Sequence, residues 1–344
     1  MHYRLLPALC ALALLFSACG TASPASGEQE RSLGFFAMDT YMNIRAWGAD
    51  EALPAELEAV ALDLEARLSV TREDSEVARL NREGSAQLSE DTAGLLRRAL
   101  ALCAETGGAL DVTVYPVVRA WGFTLGEEDR AVPPPEELAE LLSRVDYRAV
   151  TLEGNRAALP AGAELDLGAV AKGYTGDRMA AALRDAGVQH ALLDLGGNIH
   201  TLGTKPDGSD WHVAIQDPRG EGLLGVLSVS DRAVITSGGY ERYFVDENGE
   251  LWWHIMDPAT GYPARNGLIS VTVVGGEGLV CDALSTALFV MGPERASEFW
   301  RAHRDWDVEL VLVTENGTVL LTPGLSDRFS LSSGDYGIQV IPDG

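Results

Sequence analysis

The sequence is short of positive charge and of cysteine. Its 344 residues carry 26 Lys and Arg against 51 Asp and Glu, a formal net charge of −25. A phosphate-backbone binder needs a basic surface, so nucleic acid is excluded as a partner. Four cysteines are too few to staple a fold of this length. The histidines, at positions 2, 190, 200, 212, 254 and 303, include no H-x-x-x-H pair, which disfavours zinc hydrolysis. No apolar run reaches the roughly 20 residues that a membrane-spanning helix needs, and no repeat recurs at a solenoid period. What is present is 46% apolar residues, enough for a real core and too much for disorder.

The longest greasy stretch, Leu5 to Ala18, follows Arg4 and ends in Phe16-Ser17-Ala18-Cys19-Gly20. A basic start, a short apolar middle and small residues are the anatomy of a signal peptide over residues 1–18. The ending resembles a bacterial lipobox, in which the Cys19 thiol is lipidated and becomes the mature N-terminus; Phe16 stands where Leu is usual. The resemblance implies an extracytoplasmic protein held to the cell membrane by a lipid anchor. The small polar residues after Cys19 read as a flexible tether over residues 19–33, and residues 34–344 form the body. Cys103 and Cys281 then remain as two buried thiols.

In the body, Leu53, Leu57, Val60, Ala61, Leu64 and Leu68 recur at the spacing of an amphipathic helix. Thr92 to Thr106 repeats the pattern and ends at Gly107-Gly108, where a left-handed cap is needed. Further helices are expected over Glu136–Ser143, Val170–Asp185 and Asp282–Met291. Short β-branched or aromatic runs predict strands at His190–Asp194, Trp211–Ile215, Leu224–Val229, Ala233–Ile235, Tyr240–Val245, Leu251–Ile255 and Leu268–Val274. Helices and strands come in blocks without strict alternation, which makes the fold class α+β. Gly220-Glu-Gly-Leu-Leu-Gly225 matches the dinucleotide fingerprint, yet a strand-like run follows it where a helix is required, so it reads as a hairpin turn.

Three clusters bear chemistry. Asp166-Leu-Gly-Ala-Val-Ala-Lys-Gly-Tyr174 places a carboxylate, a glycine and Lys172 at a helix start, suited to an anionic ligand; a structural turn with a solvated lysine is the alternative. In Cys281-Asp-Ala-Leu-Ser-Thr286, Asp282 and Thr286 lie four apart, so both share one helix face. A carboxylate and a hydroxyl are hard ligands suited to Mg2+, although an N-cap Asp and a core-facing Thr would give the same spacing. His254-Ile-Met-Asp-Pro-Ala-Thr-Gly-Tyr-Pro263 has the Gly/Pro content of a rigid loop, with His254 either catalytic or structural.

Together these residues resemble the FAD:protein FMN transferases, the ApbE family. The resemblance runs in order through Met38-Asp-Thr40, Ser75-Glu-Val-Ala-Arg-Leu-Asn81, Gly108-Ala-Leu-Asp-Val-Thr-Val-Tyr-Pro116 with Trp121-Gly-Phe123, and Asp166–Tyr174. It continues through Asp194-Leu-Gly-Gly-Asn198, Thr236-Ser-Gly238 with Tyr240-Glu-Arg-Tyr-Phe244, His254–Pro263 and Asp282–Thr286. The resemblance implies Mg2+ held by the Ala169 carbonyl, Asp282 and Thr286. It implies flavin contacts from Met38, Ala109, Leu110, Asp111, Asp166, Lys172 and the loop near Met256. The implied reaction moves FMN from FAD onto a threonine of a redox or respiratory partner bearing Asp-Gly-x-Thr-(Ser/Ala)-Thr, releasing AMP. His254 has the intrinsic pKa to deprotonate that threonine, and a carboxylate is the alternative base. The same site would also serve hydrolysis of FAD by water, or flavin binding without turnover.

The chain departs from the family pattern at three positions. Asp39 stands where Gly is usual, which bears on the backbone angle of that loop. Thr71 stands where an aromatic able to stack on flavin is common, and Cys281 replaces a common Ala beside Asp282.

Overall fold

A computed structural model describes residues 28–124 and 130–343. The expected leader and the lipidated Cys19 lie outside the described residues. The chain enters through a hairpin, β1 (Glu30–Ala37) and β2 (Thr40–Trp47), followed by α1 (Leu53–Leu68), α2 (Glu76–Glu83), β3 (Ser85–Gln87) and α3 (Glu90–Glu105). Next come α4 (Tyr115–Ala120), α5 (Pro135–Leu142), the short strands β4 (Thr151–Glu153) and β5 (Arg156–Ala158), and α6 (Gly168–Asp185). A run of strands follows: β6 (His190–Leu195), β7 (Ile199–Leu202), β8 (Trp211–Gln216), β9 (Leu223–Val229), β10 (Ala233–Gly238), β11 (Tyr243–Val245), β12 (Leu251–Trp253) and β13 (Leu268–Gly275). The long helix α7 (Gly278–Ala302) leads to β14 (Val308–Thr314), β15 (Thr318–Leu321), β16 (Phe329–Leu331) and β17 (Gly337–Val340).

Nine of the described strands form the main sheet in the order β1-β2-β6-β7-β10-β13-β14-β15-β17. Every pair in it is antiparallel except β15–β17. The fold is α+β and antiparallel-rich, as the block texture of the sequence implies. Helices cover one face. Met42, Ile44, Leu193 and Leu195 meet Leu57, Ala61 and Met179 of α1 and α6, while Ile235, Val271, Val273 and Leu310 meet the apolar stripes of α3 and α7. On the other face, Val234, Val274, Val311 and Val313 pack against Trp211, Val213, Leu227 and Phe329 of the β8-β9-β16 sheet.

The stripe over Leu53–Leu68 is a helix with those bounds, its buried side formed by Leu53, Leu57, Ala61, Leu64 and Leu68. Gly107 and Gly108 both take positive φ (62° and 82°) just beyond α3. The glycine-rich run at 220–225 is the turn between β8 and β9. Three expectations shift. The tether gives way to β1 at Glu30, three residues before its expected end. There Phe35 turns inward and Phe36 outward with the period of a strand. The strand expected from Tyr240 begins only at Tyr243, because residues 240–242 turn to place side chains in the site. Finally, α7 starts at Gly278, four residues before the expected Asp282; its helical backbone stops at Met291 as expected, because Gly292 takes a non-helical φ of 80°, and a second helical segment opens at Pro293.

Candidate active site

The site forms where α6 and α7 cross. Asp177 of α6 accepts hydrogen bonds from the main-chain N–H groups of Gly278 and Leu279 at 2.7 and 2.8 Å. It thereby satisfies two of the donors that the first turn of α7 leaves open. The helices touch through glycines. A Cβ on Gly173 would lie 2.2 Å from the Gly278 carbonyl oxygen and 2.7 Å from the Cβ of Asp282. One turn into α7, Asp282 accepts from the Gly173 N–H at 2.8 Å through Oδ2 and from Asn198 Nδ2 at 3.0 Å through Oδ1.

This crossing unites the two clusters. Gly173 follows Lys172, whose ammonium lies close enough to Asp282 to oppose the upward push of burial on that carboxyl. The Ala169 carbonyl lies in the first turn of α6, and with two lone pairs it can take a further partner besides a helical N–H. Thr286 presents its hydroxyl 3.5 Å from Ser237 Oγ on β10, and Ser237 in turn lies 2.8 Å from Ser285 Oγ. The carboxyls of Asp166 and Glu241 are also pushed up, by burial first, against the pull of Arg242 on both and of Lys172 on Glu241. Asp282 and Glu241, which both feel Lys172, and Asp166, which feels Arg242, all have raised proton affinity, a gathering of carboxyls that a cation would stabilise.

His254 enters from β12. Its N–H donates to the Arg242 carbonyl at 3.1 Å, and its ring Nδ1 lies 3.2 Å from the same oxygen. A carbonyl only accepts, so Nδ1 carries the proton and Nε2 is left as a base. Burial, with the charge of Arg242 next, pushes the imidazole down to about 4; it is neutral near pH 7. The loop beyond it is stiff. Asp257 accepts from Ala259, Thr260 and Gly261, its own N–H donates to Tyr262, and Trp121 Nε1 donates to the Gly261 carbonyl at 2.8 Å.

The flavin-contact set divides. Asp166 accepts from Gly168 N at 2.7 Å at the opening of α6. Met38 lies in the two-residue turn of the β1–β2 hairpin, where it and Asp39 take φ of 50° and 58°. Its N–H donates to Glu65, and the Thr175 hydroxyl lies 3.6 Å from its Sδ. Ala109, Leu110 and Asp111 are buried. The Asp111 carboxylate folds its own loop by accepting from Thr113 N, Thr113 Oγ1 and Tyr147 N, so a ligand would meet main chain here. Asp166 N donates to the Val112 carbonyl at 2.8 Å, which ties this loop to α6. The Met256 side chain packs with Val117, Trp121, Phe123 and Leu138 and does not join the Lys172–Asp282 group.

Sequence reasoning gave no role to Gly173, Asn198, Ser237, Glu241 or Arg242. All five sit inside motifs that it quoted, so the signal was present without a partner to give it meaning. A hollow of about 480 Å³ between α3 and α7, lined by Arg98, Leu102, Glu277, Val280 and Trp306 among others, contains none of the candidate residues.

The family model described as the ApbE family matches residues 38–311. The chain belongs to the ApbE family. Among its ApbE relatives, the FAD:protein FMN transferase of Haemophilus influenzae is 33% identical over 323 residues, covering 90% of this chain and 92% of that protein. The FAD:protein FMN transferase of Treponema pallidum is 34% identical over 343 residues, covering 92% and 93%. The crystal structure of the ApbE protein of Thermotoga maritima is similar with a TM-score of 0.79 at 32% identity, covering 85% of this chain and 96% of that one. The apo form of the Pseudomonas stutzeri flavinyl transferase ApbE also gives 0.79, at 27% identity, covering 89% and 98%.

Proposed function

We propose that this ApbE protein is an FAD:protein FMN transferase that uses Mg2+ to move FMN from FAD to a threonine hydroxyl of an acceptor protein, releasing AMP. The observation that carries the reading is the hydrogen bond from Gly173 to Asp282, which brings the Asp166–Tyr174 turn and the Asp282–Thr286 helix into one site. Relatives bearing that activity in their names match about nine-tenths of the chain.

The residues present fit a hard divalent ion. One carboxylate (Asp282), one hydroxyl (Thr286) and one carbonyl (Ala169) are oxygen donors, and Mg2+ keeps few protein ligands and completes its shell with phosphate oxygens and water. When bound, the ion screens charge on the diphosphate of FAD.

The chain's own residues do the rest. Lys172 brings a point charge to the diphosphate, needed in a chain of net charge −25. Asn198 and Gly173 orient the Asp282 carboxylate. His254 Nε2 accepts the proton of the threonine hydroxyl as its oxygen bonds to the FMN phosphorus. The bond from that phosphorus to the bridging oxygen breaks, and AMP leaves with the electron pair.

Incubation with FAD, MgCl2 and a synthetic peptide containing Asp-Gly-Ala-Thr-Ser-Thr tests this by mass spectrometry. A peptide gaining FMN with one AMP released, and neither product in EDTA, is expected; intact FAD would sink the reading. We also propose that the protein works outside the cytoplasm on a lipid anchor at Cys19. Cys19→Ser should move it from the membrane fraction to the soluble one.

A further inference from the structure

We propose that Ser237 is a positioning residue for the divalent cation. With Ser285 it forms a hydroxyl relay that draws the Thr286 proton to one side and leaves the Thr286 lone pairs for the ion. This rests on the Mg2+-dependent transferase reading and adds what aims its hydroxyl ligand.

A hydroxyl has one proton to give and two lone pairs to share. The direction of a chain of hydroxyls is therefore set by the member with a single choice, and here that member is Ser285. It is fully buried on α7, and its Oγ lies 2.8 Å from the Asp282 carbonyl oxygen. A carbonyl only accepts, so the Ser285 proton goes there. Ser285 Oγ then has only lone pairs to offer Ser237 Oγ at 2.8 Å, and Ser237 donates. With its proton engaged, Ser237 can only accept from Thr286, whose Oγ1 lies 3.5 Å away. The three protons thus run one way, from Thr286 to Ser237 to Ser285 to the main chain of Asp282.

That direction suits a cation, which takes a hydroxyl through a lone pair with the O–H turned away from its charge. The Thr286–Ser237 contact is the longest link, and a cation drawing on Thr286 Oγ1 would make its proton a stronger donor and tighten it. Placement agrees. From Cys281 to Gly292 every residue is buried except Thr286, so its hydroxyl stands at the opening on that stretch of α7. Ser237 is held independently of the helix, because β10 lies between β7 and β13 in the main sheet.

The probe is Mn2+, a hard ion suited to the same oxygen donors, added to the full chain with FAD and no acceptor. Binding is read from the loss of the free-ion electron paramagnetic resonance signal, which needs no turnover. Ser237→Ala should raise the Mn2+ dissociation constant about tenfold or more, and Ser237→Thr, which keeps the hydroxyl, should return it close to wild type. Thermal midpoints in EDTA should stay together, a result that a merely structural serine would not give. Ser285→Ala frees the Ser237 proton to face Thr286, so it should also weaken the site. The double variant should match Ser237→Ala alone, because the relay is already cut.

An unchanged dissociation constant in Ser237→Ala, or losses that add in full in the double variant, overturns the relay while the metal reading stands. A wild type that takes up no Mn2+, or an Asp282→Asn variant that binds it as tightly as wild type, overturns the metal reading and the relay with it. If Ser237→Ala loses its thermal transition, Ser285→Ala decides: a weaker Mn2+ site supports the relay and an unchanged one overturns it.

Discussion

Gly173 donates its main-chain N–H to the Asp282 carboxylate at 2.8 Å, across 109 residues of chain. Without a side chain at Gly173 the backbones of α6 and α7 approach closely enough for that bond, and the carboxylate is aimed before any ligand arrives. The charge on Asp282 has a cost, since burial pushes its proton affinity up. Lys172 and the Gly173 and Asn198 donors offset that cost only in part, and a divalent cation would complete the compensation.

Replacing Asp282 by Asn keeps the shape and removes the charge. Metal-dependent turnover should fall by about 100-fold or more. AMP release measured against Mg2+ concentration checks this, and unchanged metal dependence would refute the assignment.

Gly173→Ala should clash with the Gly278 carbonyl, force α6 and α7 apart and cost about 1–3 kcal/mol. Gly94→Ala in α3 is the control, because a Cβ there meets nothing within 4 Å. It should be neutral or stabilise by about 0.5–1 kcal/mol. Thermal midpoints of the two variants should move in opposite directions, or only the first should fall.

His254 is pushed down to about 4 by burial and by Arg242, so its basic form persists as pH falls well below the ordinary imidazole value. The acid limb of kcat/KM, which reports the free enzyme, should therefore lie far below 6.5. His254→Gln should lower kcat by about 100-fold or more while altering FAD affinity little. A limb at 6.5 in the wild type would overturn the assignment of His254 as the base.

Beneath the site, His200 and Asp177 titrate with opposite sign. Burial lowers His200 to about 4, so the unfolded chain protonates first as pH drops from 6.5, and stability is lost over that window. Burial raises Asp177 to about 6, so the folded chain protonates first and stability is gained as pH drops through 6. The two should nearly cancel in the wild type. Asp177→Asn removes the gain, and its stability should fall by about 2 kcal/mol more than wild type between pH 6.5 and 4. Denaturant titrations across that range measure the difference.

Asp39 occupies φ of 58° in the tight turn after Met38, the conformation in which Gly carries no penalty and Asp only a small one. Asp39→Gly should keep or raise the thermal midpoint. Asp39→Val should lower stability by about 1–2 kcal/mol, since a β-branched residue resists that conformation. Equal midpoints for Gly and Val would show the turn had opened.

The helical stripes were legible because burial of one face repeats every three to four residues, and α1 and α3 follow that pattern residue by residue. The β1–β2 hairpin was less visible, since Phe35 and Phe36 are both apolar and only the sheet decides which turns inward. The Met256 side chain was similarly undecidable: the loop's composition said it was rigid, and the aromatic cluster around Trp121 took up the methionine.

The chemistry of this protein was written locally: a lysine at the head of one helix, a carboxylate and a hydroxyl one turn apart on another, an imidazole before a stiff loop. Local order prescribes these because helix periodicity and turn conformations depend on near neighbours. Tertiary packing alone decided that Asn198, Glu241 and Arg242 surround them and that Asp282 points at Gly173. Contacts across a hundred residues arise only when apolar faces bury against one another and bring distant polar groups within reach.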